Sequence, residues 1–179
     1  METDERFTPR KYLVAVKKVL GDIDLDPFSS YKGNERVKAQ SYFSKDHSAY
    51  EHEWIGKVFV NPPYSRGSIA KAVTKLLSEY DKRNVSEAIL LVPNWTERKW
   101  FQDLLMEGFP VCFTNHRIDF LYLDNSTDSF KLLKNPENGS CFFYLGVNPR
   151  KFIIEFSEFG MIINNNSPVF IPQFPPTLV

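Results

Sequence analysis

Lys57-Val58-Phe59-Val60-Asn61-Pro62-Pro63-Tyr64 is the stretch on which the reading of the whole chain turns. An apolar run ends in an Asn and two prolines, which marks a buried strand stopping in a rigidly turned backbone. The Asn61 side-chain carbonyl and the Pro62 main-chain carbonyl can both accept hydrogen bonds from one exocyclic amino group. Tyr64 adds a flat face, and stacking a base on such a ring is worth about 1–3 kcal/mol. The element suits a planar amine such as N6 of adenine. Asn and Pro are also ordinary turn residues, so the flanks matter. After the element, Ile69, Ala72, Val73, Leu76, Leu77 and Tyr80 recur at intervals of three and four, the spacing of a helix with one buried face. Strand, loop and helix in that order form the unit of an open α/β sheet, whose ligand crevice lies at the carboxyl ends of its strands.

Upstream, Thr8 and Pro9 precede Tyr12, Leu13, Val16, Val19 and Leu20, with Gly21 behind them. This predicts a first helix with Thr8 as its N-cap, Pro9 in its first turn and a glycine stop. Residues 23–26 predict a short strand ending in Asp26-Pro27, and the polar residues 29–36 a loop. Between residues 37 and 50 the pattern suits either a short helix or a strand ending near Asp46. Downstream, residues 88–92 read as a buried strand, and Thr96 as the cap of a helix carrying Trp100, Phe101, Leu104 and Leu105 and closed by Gly108. Residues 111–113 read as another strand. Two further apolar segments, 118–123 and 141–147, would pair as a long hairpin, and 152–156 and 161–163 would add edge strands. The expected organisation is one domain over residues 1–163 and a proline-rich arm over 164–179, the sheet parallel at first and antiparallel near its end.

Composition limits the partners. The chain has 179 residues, and 22 Lys plus Arg balance 22 Asp plus Glu. A neutral chain has no overall electrostatic grip on nucleic acid, so any such binding must be locally organised. Cys112 and Cys141 fall in predicted strands without the paired spacing of a zinc site, and read as buried thiols in a reducing compartment. His47, His52 and His116 show no ligand spacing, so no metal is expected. No leading apolar segment resembles a signal peptide and no run has bilayer length, which predicts a soluble, cytoplasmic protein.

Taken in order, Phe7-Thr8-Pro9, Asp26-Pro27-Phe28-Ser29, Trp54-Ile55-Gly56, Asn61-Pro62-Pro63-Tyr64 and Leu91-Val92-Pro93-Asn94 form a series, continued by Thr96 with Trp100-Phe101 and by Arg117-Ile118 with Phe120. The series resembles the phage DNA N-6-adenine methyltransferase (Dam-type) family from about residue 7 to residue 147. The resemblance implies a class I, Rossmann-like α/β methyltransferase: a mostly parallel sheet, helices on both faces and a late antiparallel hairpin. It implies S-adenosyl-L-methionine as cofactor, DNA as partner, the N6 amine of a flipped adenine as acceptor, and a host cytoplasm for a phage or prophage protein. The Asn-Pro-Pro-Tyr element also occurs in methyltransferases acting on RNA adenine, cytosine N4 or protein glutamine. The alternatives are therefore one of those acceptors, or a catalytically inactive nucleic-acid-binding relative. Related enzymes carry a glycine-rich turn after the first strand so that backbone can approach the cofactor; residues 28–34 keep only Gly33.

By the same resemblance Asn61, Pro62, Pro63 and Tyr64 carry the chemistry, and Phe7, Thr8, Pro9, Asp26, Pro27, Phe28, Ser29 and Asp46 hold the cofactor. Thr8 would meet its carboxylate, Asp26 its amino group, and Asp46 its adenine or ribose. Plainer roles stand beside these: Thr8 as a helix cap, Asp26 as a turn starter, Asp46 as an exposed loop residue. Ser65, Arg66, Trp95 and Arg117 are candidate substrate contacts. Arg66 either pairs with a phosphate or points into water. Arg117 either touches DNA or pairs with Asp119 or Asp124. Trp95 would flank the base pocket, whereas Trp100 has core spacing. The expected reaction is an in-line displacement at a sulfonium methyl by the flipped amine, achieved mainly by positioning.

Overall fold

A computed structural model describes residues 6–44, 47–133 and 136–164. The elements in chain order are α1 (Arg10–Leu20), β1 (Leu25–Asp26), α2 (Tyr31–Val37), β2 (Ser41–Tyr42), a 3-10 turn (Ala49–Glu51), β3 (Gly56–Val60), α3 (Ser68–Asp81) and β4 (Val85–Pro93). They continue with α4 (Lys99–Met106), β5 (Val111–Thr114), β6 (Leu121–Asp124), β7 (Ser129–Leu132), β8 (Ser140–Leu145), α5 (Arg150–Phe156) and β9 (Gly160–Ile163).

Seven strands form one sheet in the order β2-β1-β3-β4-β8-β5-β9. The first four run parallel, β8 lies antiparallel to both β4 and β5, and β9 is antiparallel to β5, so five of the seven strands share one direction. The alternation of side chains along β4 and β8 divides the core in two. On one face Phe59, Ile89, Leu91, Phe142 and Tyr144 pack with α1 and α5; on the other Val58, Val60, Leu90, Phe143 and Leu145 pack with α3 and α4. The result is a mixed α/β architecture with helices on both faces of the sheet.

The expected long hairpin is not formed. β6 pairs with β7 in a separate two-stranded ribbon, and β8 enters the main sheet between β4 and β5. The physical reason is burial: all six residues of β8 are buried, and a strand covered on both faces needs neighbours on both edges and layers above and below. A partner whose residues are all half-exposed, as in β6, cannot supply that. The edge strand expected at residues 152–156 is the helix α5. Phe152 and Phe156 stand four apart and both are buried, so helical spacing overrides the strand preference of Ile153 and Ile154. Residues 29–36, expected as a loop, form mostly α2, whose N-cap Ser30 accepts a hydrogen bond from the Gly33 N–H at 3.1 Å.

Neither threonine caps its helix. Pro9 occupies the N-cap of α1 and Arg98 that of α4, both without a side-chain cap. The expected strand near residues 23–26 is present but only two residues long, and the stretch from 37 to 50 resolves into β2 and the 3-10 turn. Cys112 and Cys141 are buried free thiols. No helix among the described residues is long and apolar enough to cross a membrane. The arm expected over residues 164–179 lies outside the described residues except for Asn164.

Trp54-Ile55-Gly56 fixes the entry to β3. Trp54 is fully buried and its indole N–H donates to the Ala49 carbonyl at 2.8 Å. Gly56 has φ +82, and a Cβ there would collide with the Asp24 carboxylate, which itself accepts from the Lys57 N–H at 2.7 Å. Gly56→Ala is expected to cost about 2–4 kcal/mol, combining a left-handed backbone penalty with loss of that hydrogen bond; a thermal melt checks this.

Glu79 on α3 is fully buried and accepts from Lys75 at 2.5 Å and Asn84 at 2.7 Å. Burial pushes its carboxyl up, but the Lys75 and Asn84 hydrogen bonds with the Lys75 and Lys82 charges outweigh it and hold the pKa below the ordinary 4.5. The stabilisation is fully present above the unfolded-state pKa and is lost as pH falls through the lower folded value. Glu79→Gln is expected to cost about 1–3 kcal/mol at neutral pH and to flatten the acid limb of the stability curve, which urea unfolding from pH 7 to pH 3 would show.

Candidate active site

The chain moves outward from β1 to β2 and then returns to β3 on the other side of β1. Connections that diverge in this way leave a crevice beyond the carboxyl ends of β1 and β3. A cavity of about 280 Å³ lies there, far more than the roughly 10–15 Å³ that one water needs on the same measure. Its walls come from three strand ends, α2, the 3-10 turn and one incoming segment. Asp26, Pro27, Phe28 and Ser29 follow β1, Phe43 and Ser44 follow β2, Asn61, Pro62 and Pro63 follow β3, and Arg6, Phe7 and Thr8 close the side.

Asn61 has the most informative surroundings. Its Nδ2 donates to the Arg6 carbonyl at 2.7 Å and to the Thr8 hydroxyl oxygen at 3.2 Å. Two acceptors around one end of the amide identify that end as the NH2 group. The other end, Oδ1, is buried and meets no hydrogen-bond donor among the described residues. A buried acceptor left without a donor costs about 1–3 kcal/mol, so this oxygen in the cavity wall can accept from an N–H or O–H group that enters the cavity.

Asp26 is 3% exposed. Its Oδ1 accepts from the Phe28 N–H at 3.2 Å, and Ser29 also hydrogen-bonds to it. Burial pushes the carboxyl up to about 7, while these two bonds pull the other way without compensating. A cationic ligand group beside it would favour the ionised form.

Phe7 is tied to the ribbon by two backbone hydrogen bonds with Leu121, at 2.8 and 2.9 Å. Phe130 on β7 packs edge-on against Phe7 with centroids 5.0 Å apart, and the Arg36 guanidinium covers Phe130 at 4.8 Å. The β6–β7 ribbon thus pins the segment that closes the cavity. Gly33 also lines the cavity, and a Cβ there would lie 2.9 Å from the Ser29 hydroxyl and 3.1 Å from the Phe7 ring. The single glycine of this stretch therefore sits where close approach demands it.

Seven of the eight residues expected to hold a cofactor are described. Phe7, Thr8, Asp26, Pro27, Phe28 and Ser29 line the cavity; Pro9 stands behind Thr8 at the start of α1. Asp46 lies outside the described residues. Asn61, Pro62 and Pro63 line the cavity, but Tyr64 does not. The Tyr64 ring packs edge-on against Phe120 at 5.9 Å and carries the Arg6 guanidinium 4.8 Å from its centroid. Burial holds its hydroxyl far above the ordinary phenol range.

The four expected substrate contacts all lie off the cavity. Ser65 and Arg66 are exposed in the turn before α3, with the Ser65 and Ser68 hydroxyls 2.7 Å apart. Trp95 donates to Asn138 at 3.1 Å, and Trp100 packs in the core. Arg117 donates to the Pro136 carbonyl at 3.1 Å, and Asp124 pairs with Lys131 instead. Sequence reasoning missed Arg6, Val37, Phe43, Ser44, Ser48, Ala49, Tyr50 and Phe59 as lining residues. A two-residue strand such as β2 shows no alternation to read, so nothing local placed the residues that follow it at the crevice. No group of three or more His, Cys, Asp or Glu able to hold a metal occurs among the described residues.

A mixed α/β sheet, mostly of one strand direction and with a cavity at its carboxyl edge, is consistent with a methyltransferase-like fold. The chain belongs to the DNA N-6-adenine-methyltransferase (Dam) family, whose model matches residues 1–156. Membership supports N6 methylation of adenine in DNA as its general activity. A search of curated proteins gave no match.

Proposed function

We propose that the chain transfers a methyl group from S-adenosyl-L-methionine to the exocyclic N6 amine of adenine in DNA, with residues 1–163 acting as one methyltransferase domain. The buried Oδ1 of Asn61 carries this reading. It is an acceptor in the cavity wall with no donor to satisfy it among the described residues, and an amine N–H supplies what it lacks.

The residues present also fit the donor. Asp26 offers a buried carboxylate for an ammonium group, Thr8 a hydroxyl for a carboxylate, and Phe7, Pro27 and Phe28 apolar walls for a planar ring, with Ser29 steadying Asp26. Pro9, the N-cap of α1, follows Thr8 directly, and Asp46, outside the described residues, is assigned to the cofactor's adenine or ribose by resemblance alone. When bound, S-adenosyl-L-methionine supplies an electrophilic sulfonium methyl.

The work of the protein is then positioning. Asn61 Oδ1 and the Pro62 carbonyl accept the two amine hydrogens and favour the charge that develops on nitrogen as it becomes tetrahedral. Pro62 and Pro63 keep both acceptors in fixed orientation. No strong base is required. The adenine is flipped from its stack at a cost of a few kcal/mol, and Tyr64 receives it on the ring face that Arg6 covers in this structure. Ser65, Arg66, Trp95 and Arg117, in loops outside the cavity, contact the flanking DNA. A neutral chain needs such local contacts.

The test is incubation of the purified protein with labelled cofactor and DNA, then digestion and mass spectrometry of the nucleosides. Labelled N6-methyladenine in DNA is the expected product. Label found only in RNA, in cytosine or in protein would overturn the acceptor, and no label anywhere would overturn the activity.

A further inference from the structure

Thr8 stands between the two halves of the proposed site. Its hydroxyl oxygen accepts from Asn61 Nδ2 at 3.2 Å, it is 4% exposed, and it lines the cavity. A hydroxyl has one hydrogen to donate and two lone pairs with which to accept. One lone pair accepts from the Asn61 amide; the hydrogen has no acceptor among the described residues. An anionic group in the cavity would take that hydrogen and leave the oxygen a stronger acceptor. The Asn61 NH2 group would then be held more firmly, and with it the direction of Oδ1.

We propose that Thr8 is a positioning residue that couples occupancy of the cofactor cavity to the orientation of the Asn61 amide, so that cofactor and acceptor base bind cooperatively. The inference rests on the reading of the cavity as a cofactor site. The backbone supports it: the Arg6 carbonyl holds the second Nδ2 hydrogen at 2.7 Å, and the paired Phe7 and Leu121 main chains fix the segment carrying both acceptors. Arg36 Nη2 donates to the Thr8 carbonyl at 3.4 Å, steadying the same residue from α2. Because coupling between binding sites is reciprocal, it is measurable from either ligand.

The experiment is calorimetric titration of the full chain with S-adenosylhomocysteine, which lacks the methyl group, with and without saturating short DNA duplexes of randomised sequence. In the wild type, DNA tightens binding of this ligand by about fivefold or more. Thr8→Val, which keeps the shape and removes the hydroxyl, brings the ratio close to one, and Thr8→Ser restores it. Asn61→Ala removes the other end of the link and abolishes the ratio with Thr8 intact, which covers the case of a poorly folded Thr8→Val. A wild-type ratio of one, or a ratio unchanged in a folded Thr8→Val, overturns the coupling while leaving the cofactor site standing. Failure of the wild type to bind the ligand at all overturns both.

Discussion

Asn61→Ala is expected to lower kcat for methyl transfer to DNA by about 100- to 1000-fold, the range seen when one preorganised hydrogen-bonding group is removed from a developing charge. The fold should persist, because the lost hydrogen bonds of Nδ2 end on the Arg6 carbonyl and the Thr8 hydroxyl at the rim of a cavity that water can enter. Truncation even relieves one unfavourable feature, the buried Oδ1 without a donor. Single-turnover rates at saturating cofactor and DNA, with a thermal melt alongside, check both halves. Normal turnover in this variant would remove Asn61 from the chemistry. Loss of turnover with a collapsed melting temperature would make it a structural residue instead.

Asp26→Asn is expected to act in opposite directions on stability and on ligand binding. Burial raises the Asp26 carboxyl from 3.8 to about 7, so in the ligand-free fold its ionisation is disfavoured. Below the unfolded value both states are protonated and Asp26 contributes nothing. As pH rises from 3.8 to about 7 the unfolded carboxyl ionises while the folded one keeps its proton, so a penalty builds across that window and levels off above it, at most about 4 kcal/mol for three pKa units. The neutral amide escapes it, so the variant should melt higher than wild type at pH 8 and alike at pH 4. Cofactor binding should weaken by about 10- to 100-fold, the loss of a hydrogen bond to a charged group. Wild-type affinity should also fall as pH drops through about 7, where Asp26 must give up its proton to meet an ammonium group, and the variant should lose that dependence. Calorimetry across this pH range with S-adenosylhomocysteine measures it; unchanged affinity in Asp26→Asn would place the ammonium elsewhere.

Much of the site was legible because its motifs are local. Asp26-Pro27-Phe28-Ser29 and Asn61-Pro62-Pro63 each report a strand end within a few residues, and α/β topology brings strand ends to one crevice. Thr8 was legible as a residue type, but its contact with Asn61 spans 53 positions and no local pattern encodes it. The late part of the fold was misread for a related reason. Cys141-Phe142-Phe143-Tyr144-Leu145 is apolar throughout, the mark of a strand buried on both faces, yet hairpin pairing with the nearest apolar segment is the simpler rule. Phe152 and Phe156 showed the spacing of a helix too short for its periodicity to outweigh two adjacent isoleucines. Ser30 hid a helix start inside a polar run because its cap hydrogen bond ends on a glycine, an unusual first-turn residue.

The placement of β8 also governs how the chain can be assembled. Until residues 140–145 are synthesised, β4 and β5 lack the neighbour they share, and β4 presents an unzipped flank of Leu90, Leu91 and Val92. Pairing across some fifty positions makes closure slow and non-local, and an open apolar flank on a nascent chain invites aggregation. The protein can therefore complete its central layer only after residue 145 has been synthesised, and a molecular chaperone acting on the nascent chain would find its substrate in that exposed flank.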